Sequence, residues 1–598
     1  MAEQGVSVTC EGGLDLVGTT HSLFRTPGVA TTLENYESSI HGGYRRINGF
    51  SKFGSSTPDT TSTNVEGIFR YAKGVVACQG SNIYYSADGN TWTQVNKDTY
   101  QNKTGTVSVS AGSPTVTGSG TSFTTEFSVG DDIKINNEIF NVLSISSNTS
   151  LTTDGNFAAT ASSQNIKKNG ADASQLASGS TIARVSQSDC KFALYEGESQ
   201  YGELFIVDGN NQPAYLRIDI ASGTHTFFFK EVQRSAPEKS KFATIFAERL
   251  VVAGDADNPQ VLSYSTRLKP EDFTGSSAGT IDVGDKIKAI KPFRNKLIVF
   301  CESSIFQVSG LDGTAAVSSV TKNIGCVSGN TVQEIGGDLI FLAPDGLRTI
   351  AGTARIDDIE LSSISRKILP VFRDEVMPFL SSIRFASMVV REKSQYRLFY
   401  FRSGIANNIQ GGVIGTFKIS STGAGVYEWS TTKGIPAKIA HSGVDENGSE
   451  VLYHTDESGF VFNHDTGNSF DSSNIVATYK SPDLDYGDAG VRKTLYYIKT
   501  SIRAEGTNSN LTVLPRYDFE SPNVPQPSEI SLGNLISVST FGNAVFGTAI
   551  FGGTLFPQQR ATLTGSGFTN NFRIRSAGNQ APYTVSGFYV DFIAGGRI

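Results

Sequence analysis

The sequence predicts an all-β protein with a β-propeller core, and three observations support this prediction. The 598 residues include 62 glycines, 38 phenylalanines and 21 tyrosines but only 18% charged residues, a composition typical of strands and turns. A short module recurs, in which an apolar run is followed by a turn and then by an aromatic-rich run. From residue 204 onward its copies begin 42 to 58 residues apart, which is the spacing of propeller blades. A tandem of β-sandwiches with the same spacing remains an alternative.

The copies of this module set the predicted domain boundaries. We expect an N-terminal segment with the first blade in 1–103 and the remaining blades in 171–474. In chain order, the copies begin at Val75, Leu204, Leu250, Leu297, Leu339, Arg397 and Val451.

The long first interval, between Val75 and Leu204, is explained by an insertion over 104–170. This segment is rich in Thr, Ser and Gly and alternates polar with apolar residues. Asn136-Asn137 gives a hairpin signal, because asparagine tolerates the left-handed backbone of a two-residue turn. About 60 residues suffice for a small domain. We therefore expect an inserted small β-barrel that protrudes from the larger body.

One stretch departs from the strand pattern and predicts a short packing helix over 361–383. Its apolar residues follow one another by three or four positions, which is the helical period. Pro370 is expected to kink or split this helix. The apolar positions are Leu361, Ile364, Ile368, Phe372, Val376, Phe379 and Ile383.

The last part of the chain, 475–598, predicts a separate β-sandwich-like platform domain. Long alternating runs at 475–503 and 511–519 indicate strands, and a Pro-rich linker follows at 521–527. A Phe-Gly pair then recurs every five residues between Phe541 and Gly552. We expect the final strand, 588–592, to hold the C-terminus in place.

Charge and hydropathy exclude several classes of protein. The net charge is −7, whereas a protein that grips duplex DNA normally carries a basic excess. The longest unbroken apolar runs have five residues, against about 20 for a membrane span, so no membrane insertion is expected. The N-terminus shows no secretory signal. The five scattered cysteines are expected to be reduced fillers: Cys10, Cys78, Cys190, Cys301 and Cys326.

No catalytic, cofactor-binding or metal-ligating residue is assigned from the sequence. No phosphate-binding glycine loop, nucleophile elbow or paired metal-ligand histidine motif occurs. His441, His454 and His464 fall within 24 residues, but their spacing fits no ligand set, and we expect loop histidines.

Two acidic patterns are likewise expected to carry no chemistry. The run from Asp483 to Asp488 resembles a calcium loop, but Thr494 occupies the twelfth position, where such a loop needs Glu. We expect a turn there. The pairs Asp131-Asp132 and Asp357-Asp358 are expected to be surface charge, because neighbours along a strand face opposite sides.

The segment from Ser86 to Trp92 resembles the Asp-box hairpin of sialidase-like propellers, with one residue missing before Gly89. The resemblance implies that Asp88 caps a turn and that Trp92 packs between strands. It implies a blade element without a catalytic role.

Several stretches resemble the tail nozzle proteins of short-tailed bacteriophages, the tail tubular protein B-like family related to packaged-DNA stabilisation hubs. The resemblance covers most of the chain except the insertion and rests on the order of the motifs. They are Gly12-Gly13-Leu14-Asp15, Thr26-Pro27-Gly28, Glu34-Asn35-Tyr36-Glu37, Gly42-Gly43-Tyr44-Arg45-Arg46-Ile47-Asn48-Gly49-Phe50, and the segments 294–306, 336–348 and 546–597.

This resemblance implies a structural virion protein, made in the host cytoplasm and located in the virion tail. Such a protein forms a homohexamer that extends the tail tube, retains packaged DNA and gives it a channel for ejection. Its partners are the tail adaptor ring above it and tail fibres or spikes at the periphery. No enzymatic activity and no cofactor are implied. An acidic, sparsely basic wall suits this role, since few contacts would hold the passing duplex.

Two further points follow from the resemblance. The insertion is a candidate dock for another tail protein. Arg45 and Arg46 could pair with carboxylates of a neighbouring subunit, although exposed loop arginines are the more ordinary expectation.

Two other classes of function remain open. One is another phage tail hub or fibre-docking baseplate protein. The other is a glycan-binding or sialidase-like propeller enzyme, for which no carboxylate pair or activated nucleophile is visible in the sequence.

Overall fold

The structure is a computed structural model of the chain. The residues that it describes are 3–24, 26–60, 64–95, 99–136, 138–170, 185–197, 199–221, 223–232, 237, 239–311, 313, 315–350, 363–402, 410–419, 425–506, 510–532 and 558–597.

Strands account for 53% of the described residues and helical segments for 6%. The strands up to the end of the insertion are β1 (Glu3–Thr9), β2 (Thr32–Glu34), β3 (Tyr36–Ser38), β4 (Tyr44–Arg46), β5 (Phe50–Lys52), β6 (Val65–Tyr71), β7 (Gly74–Gln79), β8 (Asn82–Ser86), β9 (Thr93–Val95), β10 (Thr99–Asn102), β11 (Thr106–Val109), β12 (Thr115–Ser119), β13 (Asp132–Ile135), β14 (Glu138–Ser147), β15 (Ser150–Thr153), β16 (Ala161–Gln164) and β17 (Lys167–Gly170).

The strands of the central part are β18 (Lys191–Tyr195), β19 (Glu203–Val207), β20 (Ala214–Ala221), β21 (Thr224–Glu231), β22 (Phe242–Phe246), β23 (Arg249–Ala253), β24 (Val261–Tyr264), β25 (Gly279–Asp282), β26 (Ile287–Phe293), β27 (Lys296–Cys301), β28 (Ile305–Ser309), β29 (Ala316–Thr321), β30 (Gln333–Ile335), β31 (Asp338–Ala343), β32 (Gly346–Thr349), β33 (Ile383–Val390), β34 (Gln395–Arg402), β35 (Gln410–Ile419), β36 (Gly425–Lys433), β37 (Ile439–Val444), β38 (Glu450–Thr455) and β39 (Val461–His464).

The C-terminal strands are β40 (Ile475–Lys480), β41 (Val491–Ala504), β42 (Leu511–Tyr517), β43 (Ile530–Ser531), β44 (Gln558–Thr562), β45 (Ser566–Gly567), β46 (Asn570–Gly578) and β47 (Tyr583–Arg597). The helical segments are α1 (Thr20–Leu23), α2 (Phe123–Glu126), the 3₁₀ turns Gly329–Thr331, Arg366–Ile368, Met377–Phe379 and Asp518–Glu520, and the π-helical turn Val371–Val376.

Six small antiparallel sheets are arranged as the blades of a propeller, so the predicted all-β propeller class is confirmed. In chain order, blade 1 is β6–β9, blade 2 is β18–β21, blade 3 is β22–β25, blade 4 is β26–β29, blade 5 is β30–β32, and blade 6 is β37–β39 with β5.

The repeated module of the sequence corresponds to the second strand of each sheet. Val75 lies in β7, Leu204 in β19 and Leu339 in β31, and these strands are apolar runs buried along nearly their whole length. Such runs arise where a strand is covered on both faces by neighbouring sheets. Arg397 is the exception, since its strand, β34, belongs to a larger sheet.

Shared hydrophobic clusters close the propeller into a ring. Each blade shares one with the next blade, from blade 1 to blade 5. Strands β33–β36 lie between blades 5 and 6 and share a cluster with each. Blade 6 then packs on blade 1. The ring also closes through pairing, because β5 from the N-terminal segment adds to β39 as the outer strand of blade 6.

The insertion forms a unit with its own core. Its strands make one eight-stranded sheet, in the order β10-β17-β13-β14-β15-β12-β11-β16, which pairs with no described strand outside the segment. The sheet encloses a separate hydrophobic cluster that includes Phe123, Phe140 and Phe157. The unit begins at Thr99, before the predicted start at 104, because β10 pairs with β17. Strands β13 and β14 pair as the expected hairpin, with Ile135 opposite Glu138, and Asn137 of the predicted turn lies outside the described residues.

The C-terminal sandwich incorporates strands from the other end of the chain. One sheet has nine strands, β33-β34-β35-β36-β2-β40-β46-β42-β43, and thus continues directly from the propeller. The other has seven and includes β1, β3 and β4 beside β41, β44, β45 and β47. Both sheets share one hydrophobic cluster. Residues 475–598 are therefore one part of a larger unit that both chain ends build, and the predicted boundary at 475 falls within it.

The predicted helix is shorter and more irregular than its periodicity indicated. Residues 361 and 362 lie outside the described residues, helical turns run from Arg366 to Phe379, and Ile383 already begins β33. Pro370 immediately precedes the π-helical turn, as its missing amide hydrogen favours. Ile368, Phe372 and Val376 are buried in the cluster shared with the sandwich, so the segment does pack on the body.

Within the described residues, no helix has the length and hydropathy needed to cross a membrane. The Phe-Gly repeat at 541–552 lies outside the described residues. The Pro-rich segment folds back on β42, where the side-chain amide of Gln526 donates to the carbonyl of Tyr517 (3.0 Å).

Candidate functional site

The three histidines of 441–464 do not form a common site. His454 and His464 are buried together in blade 6, with their Nδ1 atoms 3.3 Å apart. His441 lies elsewhere, on the wall of a cavity along the propeller axis. Among the described residues, no group of three potential metal ligands is present. Contrary to the expectation of loop histidines, all three belong to strands.

The acidic patterns are built into turns and ion pairs. Asp485 accepts from the amide of Gly487 and Asp488 accepts from the amide of Gly490, both at 2.9 Å, as expected for a turn. Asp131 pairs with Lys168 at 2.5 Å. Asp357-Asp358 lies outside the described residues.

The Asp-box segment has the geometry that its resemblance implies. Asp88 Oδ1 accepts from the amides of Asn90 and Thr91, at 2.9 and 3.3 Å, in the turn between β8 and β9. Trp92 Nε1 donates to the carbonyl of Ser56 (3.1 Å), and its ring packs edge-on against Phe53. The segment is thus a structural part of blade 1.

Four N-terminal motifs converge on one place, which we call the junction: residues 12–15, 26–28, 34–37 and 42–50. The amide of Gly13 donates to the hydroxyl of Tyr44, which donates to the carbonyl of Gly28, both at 3.0 Å. The side chain of Asn35 bonds the backbone of Lys433 and Val476 (2.9 and 2.8 Å). The junction therefore ties the N-terminal segment to the propeller and to the C-terminal strands.

The two junction arginines are structural, which corrects the expectation of exposed loop arginines. Arg46 is 1% exposed and donates to the carbonyls of Gly578 and Gln580. Arg45 pairs with Glu37 (2.8 Å) and Glu505 (2.6 Å) of its own chain. The sequence could not show this, because these partners lie up to 534 positions away.

A buried ionic network extends from the junction into the propeller. Arg397 Nη2 lies 3.0 Å from Glu37 and 3.1 Å from Asp465, and all three side chains are at most 6% exposed. Lys393 contacts both carboxylates, at 2.9 and 2.7 Å. Burial alone would raise the pKa of Asp465, but Arg397 and Lys393 outweigh it and hold that pKa well below its usual range.

Two cavities lie along the propeller axis and meet at four shared residues: Asn330, Phe385, Lys438 and Ile439. The first cavity, of about 570 Å³, has mixed charge, with Asp189 and Glu302 beside its cations. We call the second one, of about 560 Å³, the basic cavity. Among the described residues, five cations and no carboxylate line it: Arg70, Lys191, Lys291, Arg391 and Lys438.

Burial and mutual repulsion govern the titratable groups of the basic cavity. Burial lowers the pKa of Lys291, Glu334 raises it, and Arg391 and Lys191 lower it further. Burial, together with Arg391 and Lys291, lowers the pKa of His441 to about 4. Sequence analysis missed this cluster. Its only signal was basic residues in or beside otherwise apolar first strands, such as Lys191 in β18 and Lys291 in β26.

The five cysteines are all buried. Burial raises the pKa of the Cys10, Cys301 and Cys326 thiols to about 12, which makes them poor nucleophiles at neutral pH.

Comparison with known proteins identifies no family. No family model matches the chain, and no curated protein matches it. Solved structures align at low identity. An extracellular domain from B. thetaiotaomicron aligns with TM-score 0.23 and 10% identity over 68% of this chain, and the chain spans about half (51%) of that domain.

Two further alignments have similar scores. Hsv2 from Kluyveromyces lactis aligns with TM-score 0.24 and 8% identity, over 61% of this chain and 97% of its own. The WD40 domain of Pan2 from Neurospora crassa aligns with TM-score 0.24 and 8% identity, over 70% and 96%.

Proposed function

We propose that this chain is a structural subunit of the tail nozzle of a short-tailed bacteriophage. Six copies form a ring that extends the tail tube, retains packaged DNA and provides the channel for ejection. The subunit carries no catalytic activity and no cofactor. It binds the adaptor ring above and tail fibres or spikes at the periphery, in the virion tail.

One observation supports this proposal most strongly. Three of the motifs that resemble the nozzle family, 12–15, 26–28 and 42–50, meet at the junction through the hydroxyl of Tyr44. Their glycines are needed where backbones approach closely: a Cβ on Gly43 would lie 2.4 Å from the carbonyl oxygen of Val585. The resemblance thus rests on framework residues, as expected for a shared architecture rather than a shared active site.

The insertion supports the same proposal in a second way. Because it has its own core and pairs with no described strand outside itself, it can contact another protein without disturbing the propeller. We propose that this unit docks a neighbouring tail protein.

Native mass spectrometry of the full chain tests the ring. We expect a species near 384 kDa, six times the 64.0 kDa chain, alone or on addition of a purified portal–adaptor complex. A variant in which a short Gly-Ser linker replaces 99–170 is the matched control, and it should assemble equally well. A chain that stays monomeric at high concentration, with and without the complex, contradicts the proposal.

The competing classes give different results in the same preparations. A hub or baseplate protein of a long-tailed phage should not bind the portal–adaptor complex. A sialidase-like enzyme should hydrolyse fluorogenic glycosides, for which we expect no turnover.

A further inference from the structure

The charge of the basic cavity is unusual for this chain. The sequence carries an acidic excess of 7, yet within the described residues five cations and no carboxylate line this cavity. The neighbouring cavity on the same axis is lined by both signs. The positive lining is therefore particular to the basic cavity and is not shared by the neighbouring cavity.

The cations reach the cavity from different parts of the ring. Arg70 comes from blade 1, Lys191 from blade 2, Lys291 from blade 4 and Arg391 from the turn after β33. Three of the charges are offset by carboxylates that do not line the cavity: Arg70 pairs with Glu446 (2.8 Å), Lys191 with Asp189 (2.9 Å) and Arg391 with Glu450 (3.5 Å). Lys291 and Lys438 form no ion pair within the described residues, so the lining keeps a positive charge.

Two groups in the cavity lack partners. Within the described residues, the ammonium of Lys291 makes no hydrogen bond and no ion pair. The Nε2 atom of His441 is buried and also has no hydrogen-bond partner in the part of the chain that the structure describes. Buried polar groups normally have partners, because an unmade hydrogen bond costs free energy. The buried Nε2 of His441 thus lacks the partner that a ligand atom could supply, and the ammonium of Lys291 can add a charged donor beside it.

We propose that the basic cavity binds a small molecule that carries a phosphate group, through Lys291, Lys191, Arg391 and His441. Several converging cations suit a phosphate group, which carries more negative charge and more acceptor oxygens than a single carboxylate. The imidazole of His441, with its proton on Nε2, adds a neutral donor. This inference concerns a cavity within one subunit and does not depend on ring assembly.

The dimensions and walls of the cavity point to a small ligand. A volume of about 560 Å³ lies within the range of about 300–1,000 Å³ typical of small-molecule pockets. Phe69 and Phe192 also line it, with ring centroids 5.4 Å apart, and Phe69 lies 4.6 Å from the ring of His441. The cavity therefore offers an apolar wall beside the cations, where an organic part of the ligand can pack.

Inorganic phosphate, titrated into the full chain at constant ionic strength, tests the proposal. Thermal unfolding and calorimetry should show saturable stabilisation by phosphate that chloride does not reproduce. Lys291→Met should weaken phosphate binding by about tenfold or more, since it removes one charge-assisted contact. Lys296→Met is the matched control, because Lys296 is exposed on the next strand of blade 4 and should bind phosphate as the unchanged chain does.

Misfolding and loss of binding are separated by the ligand-free measurement. Lys291→Met removes a half-buried charge that has no ion pair among the described residues, so without phosphate its Tm should equal or exceed that of the unchanged chain. The proposal is overturned if phosphate does not stabilise the unchanged chain, or if Lys296→Met weakens binding as much as Lys291→Met. Citrate stabilising the chain more than phosphate, or duplex DNA competing with phosphate, would overturn the proposed phosphate-bearing small molecule.

Discussion

Acidification should destabilise the propeller through the buried pair His454 and His464. Arg397 donates to Nε2 of His464 (3.0 Å), so the proton of neutral His464 lies on Nδ1. That Nδ1 donates to Nδ1 of His454 (3.3 Å), which places the proton of His454 on Nε2. A further proton on His454 would place its N–H opposite the N–H of His464. A further proton on His464 would place an N–H opposite the guanidinium of Arg397. Both rings are therefore neutral in the folded protein.

The magnitude follows from the pKa of His454. Burial lowers this pKa to about 3, whereas an unfolded chain has about 6.5. Between these values the unfolded state binds the extra proton, so stability falls as the pH falls. At pH 4.5 the loss from His454 alone is about 3 kcal/mol. Burial, His454 and Arg397 also lower the pKa of His464, so its contribution has the same sign.

Urea unfolding followed by tryptophan fluorescence between pH 7 and 4.5 measures this effect. His454→Phe should reduce the dependence of unfolding free energy on pH by about 1.4 kcal/mol per unit, which corresponds to one proton. His41→Phe, at an exposed loop position, is the matched control for the loss of one imidazole. The pKa of Asp465 is held well below its usual range, so this carboxyl stays ionised between pH 7 and 4.5 and does not affect the measurement. An unchanged slope in His454→Phe would refute the reasoning.

Two further predictions concern the junction and its network. Gly42 and Gly43 both have a φ of +82°, but only at Gly43 would a Cβ meet neighbouring backbone atoms. Gly43→Ala should therefore destabilise the chain by more than the ~1–2 kcal/mol expected for Gly42→Ala. Equal losses of unfolding free energy in urea would contradict the close approach. Arg397→Met should cost up to about 3–5 kcal/mol, because it leaves Lys393 as the one cation that the buried carboxylates of Glu37 and Asp465 still share among the described residues. In the control Arg373→Met, an exposed pair is removed and about 0–1 kcal/mol is expected; similar losses in the two variants would argue against the network.

The blades were predictable because their signal is local. A run such as Leu204–Val207 is apolar at every position because neighbouring sheets cover both of its faces, and this pattern is visible in four residues. The Asp-box turn was predictable for the same reason, since Asp88 caps amides two and three positions away.

The joining of the two chain ends was not predictable. Strand β5 pairs with β39 and β1 with β47, over separations of several hundred residues that leave no local pattern. The periodicity at 361–383 likewise predicted a helix through Ile383, but pairing with β34 places Ile383 in a strand. Tertiary pairing overrides helical spacing there.

The basic cavity was not predictable for the same reason, because its residues are far apart in the sequence and form no local pattern. Lys191 and Lys291 are 100 positions apart and look like ordinary strand lysines, and only closure of the ring brings them to one cavity. In the proposed nozzle, the basic cavity and the DNA channel are separate spaces, and they differ in whether their walls should bind phosphates. The channel lies between subunits and must not hold phosphates, whereas the cavity lies within a subunit and is lined by cations.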